Sequence, residues 1–215
     1  MEQPSKKGRQ VKIKTKIHKE VLAEVAAECI ASKVSFILAA KRKLILDDEG
    51  LGCSGYFDPE DRVLAVAAGR PDWFLTLLHE FSHMQQWRDD PKGFCDQYDE
   101  DFWDWLTGAT ELPKRRLHQA VNRVRGIELD CEMRVLDCIR QHPELGIDEF
   151  EYAKKANSYM YLYTVVAKHR KWVGMKRKPP YAVPEIVSLM PDTLPQRGYW
   201  KLPRGFERLV VKHCF

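Results

Sequence analysis

Apolar positions recur with a helical period in four stretches of the chain. From Lys19 to about Val34, the residues Val21, Leu22, Val25, Ala26, Cys29 and Ile30 repeat every three or four positions, which predicts a packing helix. Trp73, Phe74, Leu77, Leu78, Phe81 and Met84 do the same and predict a second helix, opened by Pro71 and ending near Trp87 to Asp90, before Pro91. A third helix is expected from Pro113 to about Gln141, with the stripe Leu117, Val121, Val124, Cys131, Val135 and Cys138. A fourth, capped by Asp148, runs to about Trp172; its stripe is Tyr152, Ala156, Tyr159, Tyr163 and Val166, and Asn157, Tyr161, Thr164 and Lys168 form its polar side.

Between the first two helices the period shortens. Residues 44–46, 52–57 and 62–67 read as short strands separated by acidic and Gly/Pro turns, which predicts a small antiparallel sheet with 62–67 at its edge. Residues 89–104 predict an acidic loop and a short amphipathic helix whose aromatics, Phe94, Phe102 and Trp103 among them, pack on the body. The tail from Lys176, with Pro179, Pro180, Pro184, Pro191, Pro195 and Pro203, reads as an extended wrap with a last strand at Glu207 to Lys212. The fold class expected is α+β, mainly α.

Charge adds an appendage to this picture. Residues 1–19 hold seven Lys and Arg against Glu2, while the whole chain carries only +4. The remainder is therefore close to neutral, and residues 1–17 read as a basic arm ahead of a body (18–178) and the Pro-rich wrap (179–215). Lys6, Lys7, Arg9, Lys12, Lys14 and Lys16 suit a contact with nucleic acid or an acidic partner surface, or a solvated tail. No run of eighteen apolar residues predicts a membrane span, and no apolar segment follows the basic N-terminus to make a secretory signal. None of the six cysteines forms a Cys-x-x-Cys pair, so reduced thiols in a cytoplasmic setting are expected.

The candidate chemistry sits on the second helix, in His79-Glu80-Phe81-Ser82-His83. Two histidines four apart share a helix face, so both imidazoles can reach one ion, and Glu80 beside them can hold a metal-bound water. A catalytic zinc takes three protein ligands and leaves a position for water. No third histidine follows closely; His118, His142 and His169 remain as remote candidates for the third ligand. Glu128 occupies the place on the third helix where the apolar stripe should continue between Val124 and Cys131, and a carboxylate there is costly unless paired or bound to a cation. Glu132, one turn further, can support a ligating imidazole, or the two glutamates can exchange these roles.

His79-Glu80-x-x-His83 followed by Glu128-x-x-x-Glu132 resembles the gluzincin metallopeptidases, whose pattern is H-E-x-x-H plus E-x-x-x-D or a close variant. With Ala156-Asn157-Ser158-Tyr159, the sequence also looks like small metallopeptidases encoded in bacteriophage genomes, over roughly residues 60–185. It departs from that pattern in having Glu132 in place of the usual Asp and a long gap between His83 and Glu128. The resemblance implies a zincin-like fold, with a small antiparallel sheet, the His-Glu helix and two further long helices. It implies one Zn2+ held by His79, His83 and Glu128, Glu132 as support, and hydrolysis of a protein or peptide substrate with Glu80 as general base. It also implies an oxyanion donor, for which Tyr161 or Tyr159 is the expectation, and a location in the host cytoplasm or the virion. The alternative reading is a structural or virion-associated protein that keeps the fold and docks on nucleic acid or another subunit through its arm; a third joins peptidase and arm, clearing proteins from DNA.

Overall fold

The structure is a computed structural model and describes residues 15–45, 52–97, 100–174 and 176–215. The chain is α+β and mainly helical, with a small sheet. It parts after Pro91 into two compact units.

The first unit opens with α1 (Lys16–Ala31), capped by Thr15, whose side chain accepts the His18 N–H. It buries Ile17, Val21, Leu22, Val25 and Cys29, the face expected from the periodicity, but starts and stops about three residues early. Lys33 then takes a left-handed conformation (φ 56°) and turns the chain directly into β1 (Ser35–Ala39). This strand has no counterpart among the expected elements. β2 (Leu44–Ile45) and β3 (Gly52–Cys53) pair antiparallel. β4 (Gly55–Asp58) and β5 (Val63–Ala67) complete a three-stranded sheet in the order β1-β5-β4.

The sheet corrects two expectations. It is mixed, not antiparallel: β1 runs parallel to β5, with Phe36 opposite Leu64 and Leu38 opposite Val66, and only β4 is antiparallel to β5. Residues 62–67 therefore do not form the edge. β5 is the central strand, with Leu64, Ala65, Val66 and Ala67 buried, as its near-continuous apolar run requires of a strand covered on both faces. The edge beside it is β4. A turn through Gly69 and Pro71 leads into α2 (Trp73–Asp89), which packs on β4 and β5.

The second unit is built on two long helices, α5 (Lys114–Gln141) and α6 (Glu149–His169), joined by a 3-10 turn at Pro143–Leu145 and by Gly146 in the left-handed region. Asp148 caps α6 by accepting from the N–H groups of Phe150 and Glu151. Shorter helices precede them: α3 (Pro91–Gln97), which begins at the boundary, and α4 (Glu100–Thr107). Phe102 and Trp105 of α4 join Val121, Val124, Met160, Leu162 and Val166 in the core, as expected of the acidic aromatic segment.

The tail wraps α6 through specific bonds. Buried Asn157 donates from Nδ2 to the carbonyls of Pro191 and Thr193 and accepts from the Tyr199 hydroxyl, each at 2.8 Å. α7 (Pro184–Val187) precedes these contacts in the tail. The last element is a correction: Glu207 to Lys212 is not a strand but part of α8 (Phe206–His213). Phe206, Val210 and Cys214 recur at four-residue steps and are fully buried, so the helical stripe overrides the strand preference of Val210-Val211.

Candidate functional site

The Leu77–His83 segment lies inside α2, and the helix places His79 and His83 as the spacing predicts. Their Nε2 atoms are 3.2 Å apart, with ring centroids at 4.7 Å and planes at 88°. Two imidazoles on one tetrahedral zinc, at the usual Zn–N length, have nitrogens about 3.3 Å apart, so the pair has the spacing of two ligands of one ion. His83 is buried, and its Nδ1 lies 2.8 Å from Gln86 Oε1. With the amide oxygen toward the ring, Nδ1 carries the proton and Nε2 presents its lone pair. Burial, followed by the influence of His79, pulls the His83 pKa down to about 3, which keeps the ring neutral, the form that ligates a metal.

Glu80 is half-buried where α2 crosses β4. A Cβ at Gly55 would lie 2.7 Å from Thr76 Cγ2, 3.0 Å from Glu80 Cγ and 3.2 Å from the Ala65 carbonyl oxygen, so the glycine lets strand and helix approach at the level of the glutamate. The Cys53 thiol is pushed up, first by burial and then by the charge of Glu80. Sequence reasoning overlooked both Gly55 and Cys53; the glycine between Ser54 and Tyr56, inside a strand pattern, was the signal of close backbone approach. At the helix start Arg70 donates through Nε and Nη2 to the two carboxylate oxygens of Asp72, each bond 2.8 Å.

Glu128 and Glu132 belong to the second unit, on α5. Glu132 is 6% exposed and accepts a hydrogen bond from the Tyr152 hydroxyl; burial, then the charge of Glu132, raises the Tyr152 pKa well above its ordinary value. Glu128 is half-buried and faces the Tyr163 hydroxyl at 3.5 Å. Glu128, Cys131 and Glu132 share one face of α5 by their spacing of three and four. Among the described residues, His79 and His83 in the first unit and Cys131 in the second carry donor atoms that suit a metal ion, Cys131 being a residue that the helical stripe assigns to the core.

The phenols that meet the two glutamates are Tyr152 and Tyr163. Tyr161, the expected oxyanion donor, lies on a different face of α6, its ring against Tyr199 (4.9 Å) and Phe206 (5.8 Å). Tyr159 packs edge-on against Tyr163 and Trp172. Of the basic arm, Lys6, Lys7, Arg9, Lys12 and Lys14 lie outside the described residues, and Lys16 opens α1 in an exposed pair with Glu20. No helix among the described residues is long and apolar enough to cross a membrane. Comparison with known proteins gives no match: no family model, no curated protein and no solved structure matches the chain.

Proposed function

We propose that the chain is a zinc-dependent peptidase of zincin-like fold, with His79 and His83 as metal ligands and Glu80 as general base. The observation that carries this reading is the facing pair of Nε2 atoms, 3.2 Å apart on one helix, with Glu80 next in sequence to His79. That distance equally suits a hydrogen bond from His79 to the His83 Nε2 lone pair, the same lone pair that would meet an ion. A bound zinc ion would supply an acidified water and polarise the scissile carbonyl. Glu80 would take the proton from that water and deliver it to the leaving amine. The third ligand proposed is Glu128, on the strength of its place in the apolar stripe, with Glu132 as its support; the Cys131 thiolate is the competing donor because zinc binds sulfur as readily as oxygen.

Hydrolysis of a quenched-fluorescence peptide library by zinc-loaded protein tests the reading. Wild type is expected to cleave, and Glu80→Gln to bind zinc with unchanged stoichiometry and lose cleavage by about a thousandfold or more. Zinc content of Glu128→Gln and Cys131→Ser separates the two donors. Cleavage by Glu80→Gln at the wild-type rate would refute the assignment.

A further inference from the structure

The second unit holds a cavity of about 340 Å³ with no part in the reading above. It is lined by Arg125, Gly126 and Leu129 of α5 and by Arg197, Tyr199 and Trp200 of the tail. Arg125 is only 5% exposed. Its Nη2 donates to Thr164 Oγ1 at 2.8 Å, while its Nε is buried without an acceptor among the described residues. After burial, the groups that bear on its titration are the phenols of Tyr163, Tyr199 and Tyr161. Burial draws its pKa down to about 10, so it keeps its charge at neutral pH.

A buried guanidinium normally meets a carboxylate or a phosphate. Here the Arg125 Cζ lies 4.9 Å from the Trp200 ring centroid and 5.7 Å from that of Tyr199. The ring faces offset the charge without accepting a conventional hydrogen bond from the N–H groups.

The aromatic wall is fixed before any ligand arrives. Trp200 Nε1 donates to Asn122 Oδ1 at 2.8 Å, and the ring stacks on His118 at 4.0 Å and 12°. The Tyr199 hydroxyl is held by Asn157. Gly126 sits inside a 28-residue helix, where glycine costs about 1 kcal/mol against alanine, yet a Cβ there would meet no atom within 4 Å. The glycine adds to the room in the cavity.

We propose that this cavity binds a small organic oxyanion, a carboxylate or a phosphate monoester, whose oxygens pair with the Arg125 guanidinium and whose body lies against Trp200 and Leu129. Arg197 also lines the cavity and adds a second positive charge. Guanidinium suits both anions because its planar fork can bond two oxygens at once.

Isothermal titration of the full chain with phenyl phosphate, benzoate and neutral benzyl alcohol tests this. At least one anion is expected to bind one-to-one, and benzyl alcohol about tenfold more weakly or not at all. Stronger binding of phenyl phosphate identifies a phosphate site, and stronger binding of benzoate a carboxylate site. Gly126→Phe fills the cavity from α5 and is expected to weaken the anion about tenfold or more while thermal unfolding stays close to wild type. Arg125→Lys keeps the charge, loses the fork and weakens binding likewise; if it fails to fold, Gly126→Phe decides alone. No saturable heat with either anion at about 5 mM, equal binding of benzyl alcohol, or undiminished binding by folded Gly126→Phe overturns the proposal.

Discussion

Gly55 and Glu80 meet where the edge strand crosses the His-Glu helix: a Cβ on the glycine would lie 3.0 Å from the glutamate Cγ, and 2.7 Å from the Cγ2 of Thr76 one turn before it. The strand thus sets the position of the proposed general base through backbone contact. Gly55→Ala is expected to cost about 1–3 kcal/mol in chemical denaturation, since a methyl group must displace a β-branched side chain or the helix itself. Adding Thr76→Ser, which removes the nearest methyl, should recover part of that loss. A fully stable Gly55→Ala protein would show that the approach is looser than these distances.

The start of α2 is pinned by the two-pronged Arg70–Asp72 contact, and a pH dependence follows from it. Hydrogen bonding from Arg70 holds the Asp72 carboxyl below its ordinary value of 3.8. Its folded pKa lies below its unfolded one, so its contribution is complete above the unfolded value and is lost as pH falls through the folded one. The side chains are 31% and 44% exposed, so the contribution is under about 1 kcal/mol. Arg70→Gln should be less stable than wild type near pH 6, and the difference should shrink toward about pH 2. A pH-independent difference would assign the loss to packing.

Legibility in the sequence followed how local each signal was. The bounds of α5 and the start of α6 were readable because Pro113, Pro143 and Asp148 punctuate strong helical stripes, while α6 ends at His169, about three residues before the expected Trp172. His79 and His83 came together as expected because a helix fixes residues four apart without reference to the rest of the fold. β1 was hidden because the turn before it uses Lys33 in a left-handed conformation where glycine or asparagine would have announced a helix end. Its parallel pairing with β5 joins residues nearly thirty positions apart, and that choice moved β5 from edge to centre. α8 was misread because Leu209-Val210-Val211 has the composition of a strand, while the burial of Phe206, Val210 and Cys214 is decided by packing against the second unit's core. The burial of Arg125 was invisible because Tyr199 and Trp200, whose rings cover its guanidinium, come from a tail with no periodic pattern.

Glu132 is a carboxylate inside a helix packing face, and the Tyr152 hydroxyl is one of its donors. Tyr152→Phe should destabilise the protein by about 1–3 kcal/mol, because a buried charged acceptor loses a bond. Thermal unfolding with circular dichroism reads the change. Little change would show that Glu132 is supported without the phenol.

Asn157 ties the tail to α6 through three bonds of mixed polarity. Asn157→Asp is nearly isosteric but turns a second oxygen toward the carbonyls of Pro191 and Thr193. A loss of about 3 kcal/mol or more is expected, with earlier proteolytic cleavage in residues 191–200. Unaltered protease resistance would mean that the tail is held by its apolar contacts.

The central claim is that His79 and His83 bind one metal ion. Mass-spectrometric metal analysis of the full chain, purified without chelator after growth in zinc-replete medium, tests it most directly. One zinc per chain is predicted for wild type, and loss of that zinc for both His79→Ala and His83→Ala with the fold retained. Pure, folded wild type that carries no zinc and takes none up on addition of the ion contradicts the account.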